Sequence, residues 1–141
     1  MAIYTNLPIY KASYRLMLNL SRIMPNMPRD CRYSLGQDTR QRVMDIIILI
    51  YNANREHNKL QKIRKMQELI VEVQVYVRLM SDMKYLSEGA YLELVEQIVS
   101  IMKQMSAWEK HERYKQNSKE DDCGSVELPR NVDGYGSQQR G

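Results

Sequence analysis

The chain has 141 residues, a formal net charge of +4 and a hydrophobic content of 43%. This length suits one domain whose core needs neither disulfides nor a metal ion to hold it. The longest apolar run, residues 46–51, is too short to span a bilayer, and the first residues lack the pattern of a secretory signal, so we expect a soluble cytoplasmic protein with no membrane partner.

The first predicted helix covers about residues 8–24. Pro8 suits its first turn, where a missing backbone N–H costs nothing, and Pro25 and Pro28 end it. At about 100° per residue, the apolar side chains share one broad face. They are Tyr10, Tyr14, Met17, Leu20, Ile23 and Met24. Three bases lie on the opposite side, within about 40° of one another. They are Lys11, Arg15 and Arg22.

The second predicted helix begins between residues 29 and 34 and runs to about Asn54. Its segment 46–50 is apolar all round, and the β-branched residues there leave a buried strand as an alternative. The polar flank of residues 37–45 favours a long helix, whose apolar segment would be buried on several sides, for instance by a second subunit. A glycine at position 36 lowers the stability of the helix by about 1 kcal/mol relative to Ala. Either close approach of a neighbouring helix explains this glycine, or its cost is simply tolerated.

The third predicted helix covers about residues 59–84, with apolar residues at spacings of three and four. Its β-branched stretch 69–77 again leaves a strand as the lesser alternative. Ser87 is a good N-cap for the fourth helix, which is expected to end near residues 111–114. One apolar stripe follows the period of this helix. It consists of Tyr91, Val95, Ile98, Met102, Met105 and Trp108.

Helices joined by short loops run antiparallel to their neighbours. The predicted fold class is therefore all-α, an antiparallel up-down four-helix bundle over residues 1–113. Residues 114–141 are dominated by Gly, Ser, Gln, Asn and acids, which predicts a flexible polar tail.

The basic residues are concentrated in the first half of the chain. Residues 1–65 hold twelve of the 21 Lys and Arg against four acids, a net charge of +8, whereas residues 66–113 carry −3. Clustered bases release counterions together on a polyanion, so this half predicts a weakly sequence-specific nucleic-acid surface, with an ordinary solvated face as the alternative. The candidate residues for binding nucleic acid or a protein partner are Lys11, Arg15, Arg22, Arg29, Arg32, Arg40, Arg42, Arg55, Lys59, Lys62, Arg64 and Lys65.

Four tyrosines are interleaved with these bases. They are Tyr4, Tyr10, Tyr14 and Tyr33. Tyrosine rings can stack on nucleic-acid bases, but we expect Tyr10 and Tyr14 to pack in the core.

Patterns typical of an active site are weak in this sequence. His57 and His111 lie in a linker and at a helix end, outside any Glu-x-x-His pair of the kind that binds metal in a helical bundle. No Gly-rich phosphate loop is present, and no serine or cysteine has an evident base partner. Cys31 and Cys123 lie far apart, and reduced thiols explain them more simply than a disulfide. We therefore predict no catalytic residue, no cofactor and no metal site.

Several short motifs together resemble one known family, the accessory variability determinant (Avd) of diversity-generating retroelements. The similarity covers roughly residues 7–112. The motifs are residues 7–12 (LPIYKA), 27–29 (MPR), 32–37 (RYSLGQ), 49–54 (LIYNAN) and 91–94 (YLEL), together with Trp108. Wider relatives of the family are four-helix proteins encoded in intervening sequences of large-subunit ribosomal RNA genes.

The resemblance implies a non-enzymatic, basic four-helix bundle that assembles as a pentameric ring, encoded by a bacterium, an archaeon or a phage. It implies two kinds of partner, the reverse transcriptase of the retroelement and nucleic acid, either template RNA or complementary DNA. The complex would copy a template repeat with mutations and replace a variable repeat by retrohoming. Gln37 departs from the family pattern, in which glutamate is common, and the segment after residue 114 extends past the shared region.

Two further functions remain as alternatives at this point. One is a basic helical-bundle RNA-binding protein of the ribosomal intervening-sequence type, which would have no reverse transcriptase partner. The other, given less weight, is a metal or redox enzyme built in a helical bundle.

Overall fold

The computed structural model describes residues 3–127, with their side chains as far as residue 118. Within these residues every regular element is helical and there is no strand. The long helices are α1 (Pro8–Ile23), α3 (Gln37–Asn54), α4 (Leu60–Asp82) and α5 (Glu88–Glu127). The short elements are α2 (Arg29–Cys31), a π-helical segment (Arg32–Gly36) and two 3-10 turns (Tyr4–Asn6 and Met24–Asn26). The all-helical class is confirmed, and both strand alternatives are wrong.

The ends of the long helices follow local chemistry. Pro8 occupies the first turn of α1, as predicted. Ser87 caps α5, since its Oγ accepts a hydrogen bond from Ala90 N at 3.1 Å. The end of α4 is unusual, because Lys84 adopts φ 67°, the left-handed conformation that favours glycine. There Tyr85 N donates to Met80 O at 2.9 Å and Lys84 N donates to Ser81 O at 3.0 Å, the paired hydrogen bonds of a Schellman motif.

The second predicted helix contains a π-helical segment that the sequence pattern does not reveal. Its last residue, Gly36, is buried among groups of the preceding turn. A Cβ at Gly36 would lie 3.3 Å from Cys31 O, 3.4 Å from Met24 Cε and 3.5 Å from Met27 Sδ. The close approach that explains this glycine therefore comes from the chain's own turn and two methionines of that turn.

The core of residues 3–109 combines side chains from all four long helices. The largest fully buried side chains are Leu16, Leu20, Ile46, Ile50, Ile63, Met66, Ile70, Met80, Leu94, Ile98, Ile101 and Met105. A partly buried polar contact also joins α1 to α5, where Asn19 Nδ2 donates to Gln97 Oε1 at 2.8 Å. These helices pack around one apolar interior, as expected for a helical bundle.

Two predicted faces are displaced in the structure. Tyr14 is exposed and not in the core, although its ring stacks on Tyr10 with centroids 5.9 Å apart. On α5 the buried positions include Leu94 and Ile101, whereas Trp108 is only partly buried against the core. The shift of the buried positions on each helix is a small rotation about the helix axis, which arises because broad apolar faces leave the inward direction of a helix poorly specified.

Helix α5 continues to Glu127, so its predicted end near residues 111–114 is wrong. Residues 115–122 contain Lys, Gln and Glu, which have good helix propensity without forming an apolar stripe. The described residues divide into two units, with the boundary after Glu109. The predicted flexible tail begins inside α5 at residue 114, and its residues 128–141 lie outside the described part of the chain.

Candidate nucleic-acid interface

The structure divides the twelve predicted bases by what they contact. Four of them have a carboxylate partner within residues 3–118. These ion pairs are Arg42–Glu72 at 2.7 Å, Lys62–Glu56 at 3.0 Å, Arg64–Glu109 at 3.5 Å and Lys65–Glu68 at 3.6 Å. These pairs are partly exposed and weak, but an added polyanion would still have to displace a carboxylate from each base, so the four bases are weaker candidates for the interface than bases without one.

Arg42 is the most firmly held base of the twelve. Its Nε donates to Glu72 Oε1, its Nη1 donates to Asp38 O at 3.2 Å, and its guanidinium lies 4.6 Å from the centre of the Tyr76 ring. The hydrogen bond that Arg42 donates to Glu72 is the main cause that raises the pKa of Arg42 above its ordinary value. Arg42 therefore ties α3 to α4 and is occupied within the protein.

Two more bases serve the turn between α3 and α4. Lys59 Nζ donates to Ala53 O at 2.9 Å and also to Glu56 O, so its charge stabilises the carbonyl end of α3. The guanidinium of Arg55 lies 5.4 Å from the centre of the Tyr51 ring, and its Nη1 donates to the Tyr51 hydroxyl at 3.3 Å. Lys59 is a structural cap, whereas the exposed Arg55 still lacks a carboxylate among the described residues.

Besides Lys59 and Arg55, which donate to groups near the turn between α3 and α4, six bases have no carboxylate within 4.0 Å in residues 3–118. We call them the unpaired bases: Lys11, Arg15, Arg22, Arg29, Arg32 and Arg40. All are exposed except Arg32, which is half-buried. Arg40 lines a small groove between α1 and α3 with Met17 and Met44, and Arg29 and Arg32 both lie beside the Tyr33 ring. The unpaired bases lie on α1, on α3 and on the turn that joins them.

Exposed apolar side chains form two helical stripes that the sequence pattern does not define. The α3 stripe is Met44, Ile48 and Tyr51, and the α4 stripe is Val71, Val75 and Leu79. Their spacings of three and four place each stripe on one face of its helix. The uninterrupted apolar run from residue 46 had signalled the first stripe, since its length exceeds what one buried face requires.

One apolar pocket lies near the start of α1. It has a volume of about 340 Å³, within the range of small-molecule sites. Its lining is Leu7, Pro8, Ile9, Asn54, Lys59, Gln104, Ala107 and Trp108. The only charged group of that lining is the Lys59 ammonium, which already donates to backbone carbonyls. This pocket offers no nucleophile with a base partner.

The described side chains offer little for metal or thiol chemistry. Among them, no three His, Cys, Asp or Glu residues are grouped so that they could hold a metal ion. Cys31 is a buried free thiol whose Sγ lies 3.8 Å from Met27 Sδ, and burial raises its pKa. Cys123 lies beyond the side chains that the structure describes. Likewise, no helix in the described part of the chain has the length and apolar character to cross a membrane.

Comparison with known proteins identifies the family. The curated proteins give no significant match. The bAvd-like family, in contrast, matches residues 8–112, about three quarters of the chain. This match spans α1 to α4 and the part of α5 that precedes residue 113, and it agrees with the region of sequence resemblance. The chain belongs to the bAvd-like family and is an Avd-type protein.

Proposed function

We propose that this protein is a non-enzymatic, cytoplasmic accessory factor of a diversity-generating retroelement. It binds the reverse transcriptase and nucleic acid, and so supports mutagenic copying of a template repeat and retrohoming into a variable repeat. Membership of the bAvd-like family supports the retroelement assignment. The observation that carries the binding role is the set of unpaired bases, which have no carboxylate partner in the part of the chain described.

Nucleic-acid binding follows from the chemistry of those bases. Five of the six are arginines, whose planar guanidinium groups can bind phosphates through two parallel hydrogen bonds. Because their charge is not spent inside the protein, they can replace counterions on a phosphate backbone. The contacts are made to phosphates, so binding depends strongly on salt and weakly on sequence.

We further propose that the helices form an antiparallel up-down bundle and that bundles assemble into a pentameric ring. The short connections 24–28, 55–59 and 83–87 support the first point. The α3 and α4 stripes support the second. Arg40 and Arg55 flank the α3 stripe, so two copies of that stripe would repel each other, whereas the α4 stripe is flanked by internal ion pairs. Contact between unlike stripes is heterologous, the type of contact that forms a ring when the rotation between neighbouring subunits closes on itself.

Substitution in each stripe tests this assembly. Ile48→Glu and Val75→Glu place a charge in the proposed contact, and each should reduce the oligomer to a 16.7 kDa monomer in light scattering. Gln74→Glu is the matched control, because Gln74 is exposed on α4 beside the stripe. An oligomer that is unchanged in both stripe variants would contradict the proposed contact.

The reverse transcriptase partner is tested by co-purification. The tagged protein is incubated with the reverse transcriptase of the retroelement, at low salt and after nuclease treatment, so that nucleic acid cannot bridge them. The proposal predicts a stable complex. Failure to associate would instead favour the RNA-binding alternative without a polymerase, and a gene neighbourhood of ribosomal RNA rather than paired repeats would agree with that result.

A further inference from the structure

Tyr33 has an unusual environment on the turn between α1 and α3. Its side chain is 64% exposed, in the π-helical segment. Two guanidinium groups face its ring, Arg32 at 5.6 Å and Arg29 at 5.9 Å from the centroid. An exposed aromatic ring with two unpaired cations beside it combines a stacking surface with phosphate-binding groups.

The other exposed tyrosines of α1 and α3 are already engaged with aromatic rings. Tyr14 stacks on Tyr10, and the Tyr51 ring meets the edge of Tyr4 with centroids 4.8 Å apart. Tyr33 has no aromatic neighbour among the described side chains. Of the ring and cation contacts among the described residues, the Tyr33 ring therefore makes only those with the two guanidinium groups, and its exposed part is open to a planar group from outside the protein.

Arg32 adds an observation of a different kind. Its Nε is buried but has no hydrogen-bond acceptor within the described residues. Because no group of the described residues accepts a hydrogen bond from this guanidinium, its terminal N–H groups remain available to an acceptor that a ligand supplies. The nearest acid in sequence, Asp30, is exposed, and neither it nor any other described carboxylate lies within 4.0 Å of Arg29 or Arg32.

We infer that Tyr33, Arg29 and Arg32 form a binding site for unpaired nucleotides. A base stacks on the Tyr33 ring, and the two guanidinium groups bind the phosphates on either side of it. In a duplex each base is already stacked and paired, so only a single strand or a loop can offer the free face. This inference rests on the nucleic-acid binding proposed above and adds to it a preference for single-stranded segments, the form in which a template is read.

The test compares three labelled probes of equal length by fluorescence anisotropy. They are an oligothymidylate, the same sugar-phosphate chain without bases, and a DNA duplex. The wild-type protein should bind the oligothymidylate about tenfold or more tightly than the abasic chain, because stacking acts only on bases. Tyr33→Ala should bind the oligothymidylate and the abasic chain with similar affinity. The salt dependence of its affinity should match that of the wild type, since no ionic contact is removed.

Two variants control this result. Tyr33→Phe retains the ring and should behave as the wild type. Leu92→Ala removes an exposed apolar side chain on α5. It should change neither the affinity for the oligothymidylate nor the ratio of that affinity to the affinity for the abasic chain. Thermal unfolding checks that every variant is folded.

The outcomes separate the inference from the proposed function. If the wild type binds all three probes but Tyr33→Ala retains the preference for bases, the inference is overturned and the nucleic-acid binding stands. If the wild type binds none of the probes at low salt, the proposed nucleic-acid role is overturned and the inference falls with it.

Discussion

Arg42 Nε donates a hydrogen bond to Glu72 Oε1 across 2.7 Å and so fixes α3 against α4. The contact shows that basic residues of the same half of the sequence have different tasks. Arg42 holds the fold together, whereas Arg40, two residues earlier, is exposed and has no carboxylate partner in residues 3–118. The net charge of the basic half of the sequence, residues 1–65, is therefore larger than the charge that is available to a partner.

The Arg42–Glu72 pair should contribute to stability and not to nucleic-acid affinity. Its side chains are 28% and 45% exposed, so solvent screening limits the coupling to about 1 kcal/mol or less. A double-mutant cycle of Arg42→Ala and Glu72→Ala, measured by urea unfolding, gives this coupling energy. Arg42→Ala alone should leave nucleic-acid affinity within about twofold. A larger loss of affinity would move Arg42 into the interface.

Gly36 should tolerate substitution poorly although it lies in a helix. A Cβ there would meet Cys31 O at 3.3 Å, and a backbone oxygen cannot move as the two methionine tips can. Gly36→Ala should therefore lower the free energy of unfolding by about 1 kcal/mol, the strain exceeding the gain in helix propensity. At Gly89 no described group beyond its chain neighbours and its own helical backbone lies within 4 Å of an added Cβ, so Gly89→Ala should instead raise the free energy of unfolding by up to about 1 kcal/mol. Equal effects at both sites would contradict the packing around Gly36.

The Cys31 thiol should make stability depend on alkaline pH. Burial raises its pKa above the ordinary value of 9.0, so the folded state keeps the proton that the unfolded state releases. The free energy of unfolding should consequently fall as the pH rises above 9.0, and the difference should vanish at lower pH, where both states are protonated. Urea unfolding of the wild type and Cys31→Ala over this range isolates the effect. If the free energy of unfolding had the same pH dependence in both proteins, Cys31 would contribute nothing to that dependence.

The sequence pattern predicts the helical elements well because their end signals are local. Pro8 and Ser87 mark helix starts through their own backbone and side-chain chemistry, which a sequence displays directly. The π-helical turn at residues 32–36 is not predictable in this way, since it depends on how Gly36 packs against two methionines from an earlier turn. The far end of α5 was missed because a polar helix has no apolar period to detect.

The candidate site was predicted as a charged region but not as a set of contacts. Composition identifies the basic half, yet Lys62 and Arg15 look alike in sequence. They differ only in the structure, where Glu56 lies 3.0 Å from Lys62 Nζ and no described carboxylate reaches Arg15. The partners of Arg42 and Arg64 come from residues 30 and 45 positions away, which no helical spacing relates to them.

The salt dependence of nucleic-acid affinity tests the central claim, that the unpaired bases form the interface. The logarithm of the binding constant is plotted against the logarithm of the salt concentration for three proteins. They are the wild type, the unpaired triple variant Arg15→Gln/Arg22→Gln/Arg40→Gln and the paired-base control Lys62→Gln/Arg64→Gln/Lys65→Gln. We predict that the unpaired triple variant binds more weakly and that its slope on duplex DNA falls in magnitude by about 2 to 3, since each phosphate contact contributes about 0.9. The control should keep the wild-type slope. Equal slopes for the wild type and the unpaired variant, or a larger change in the control, would contradict the account.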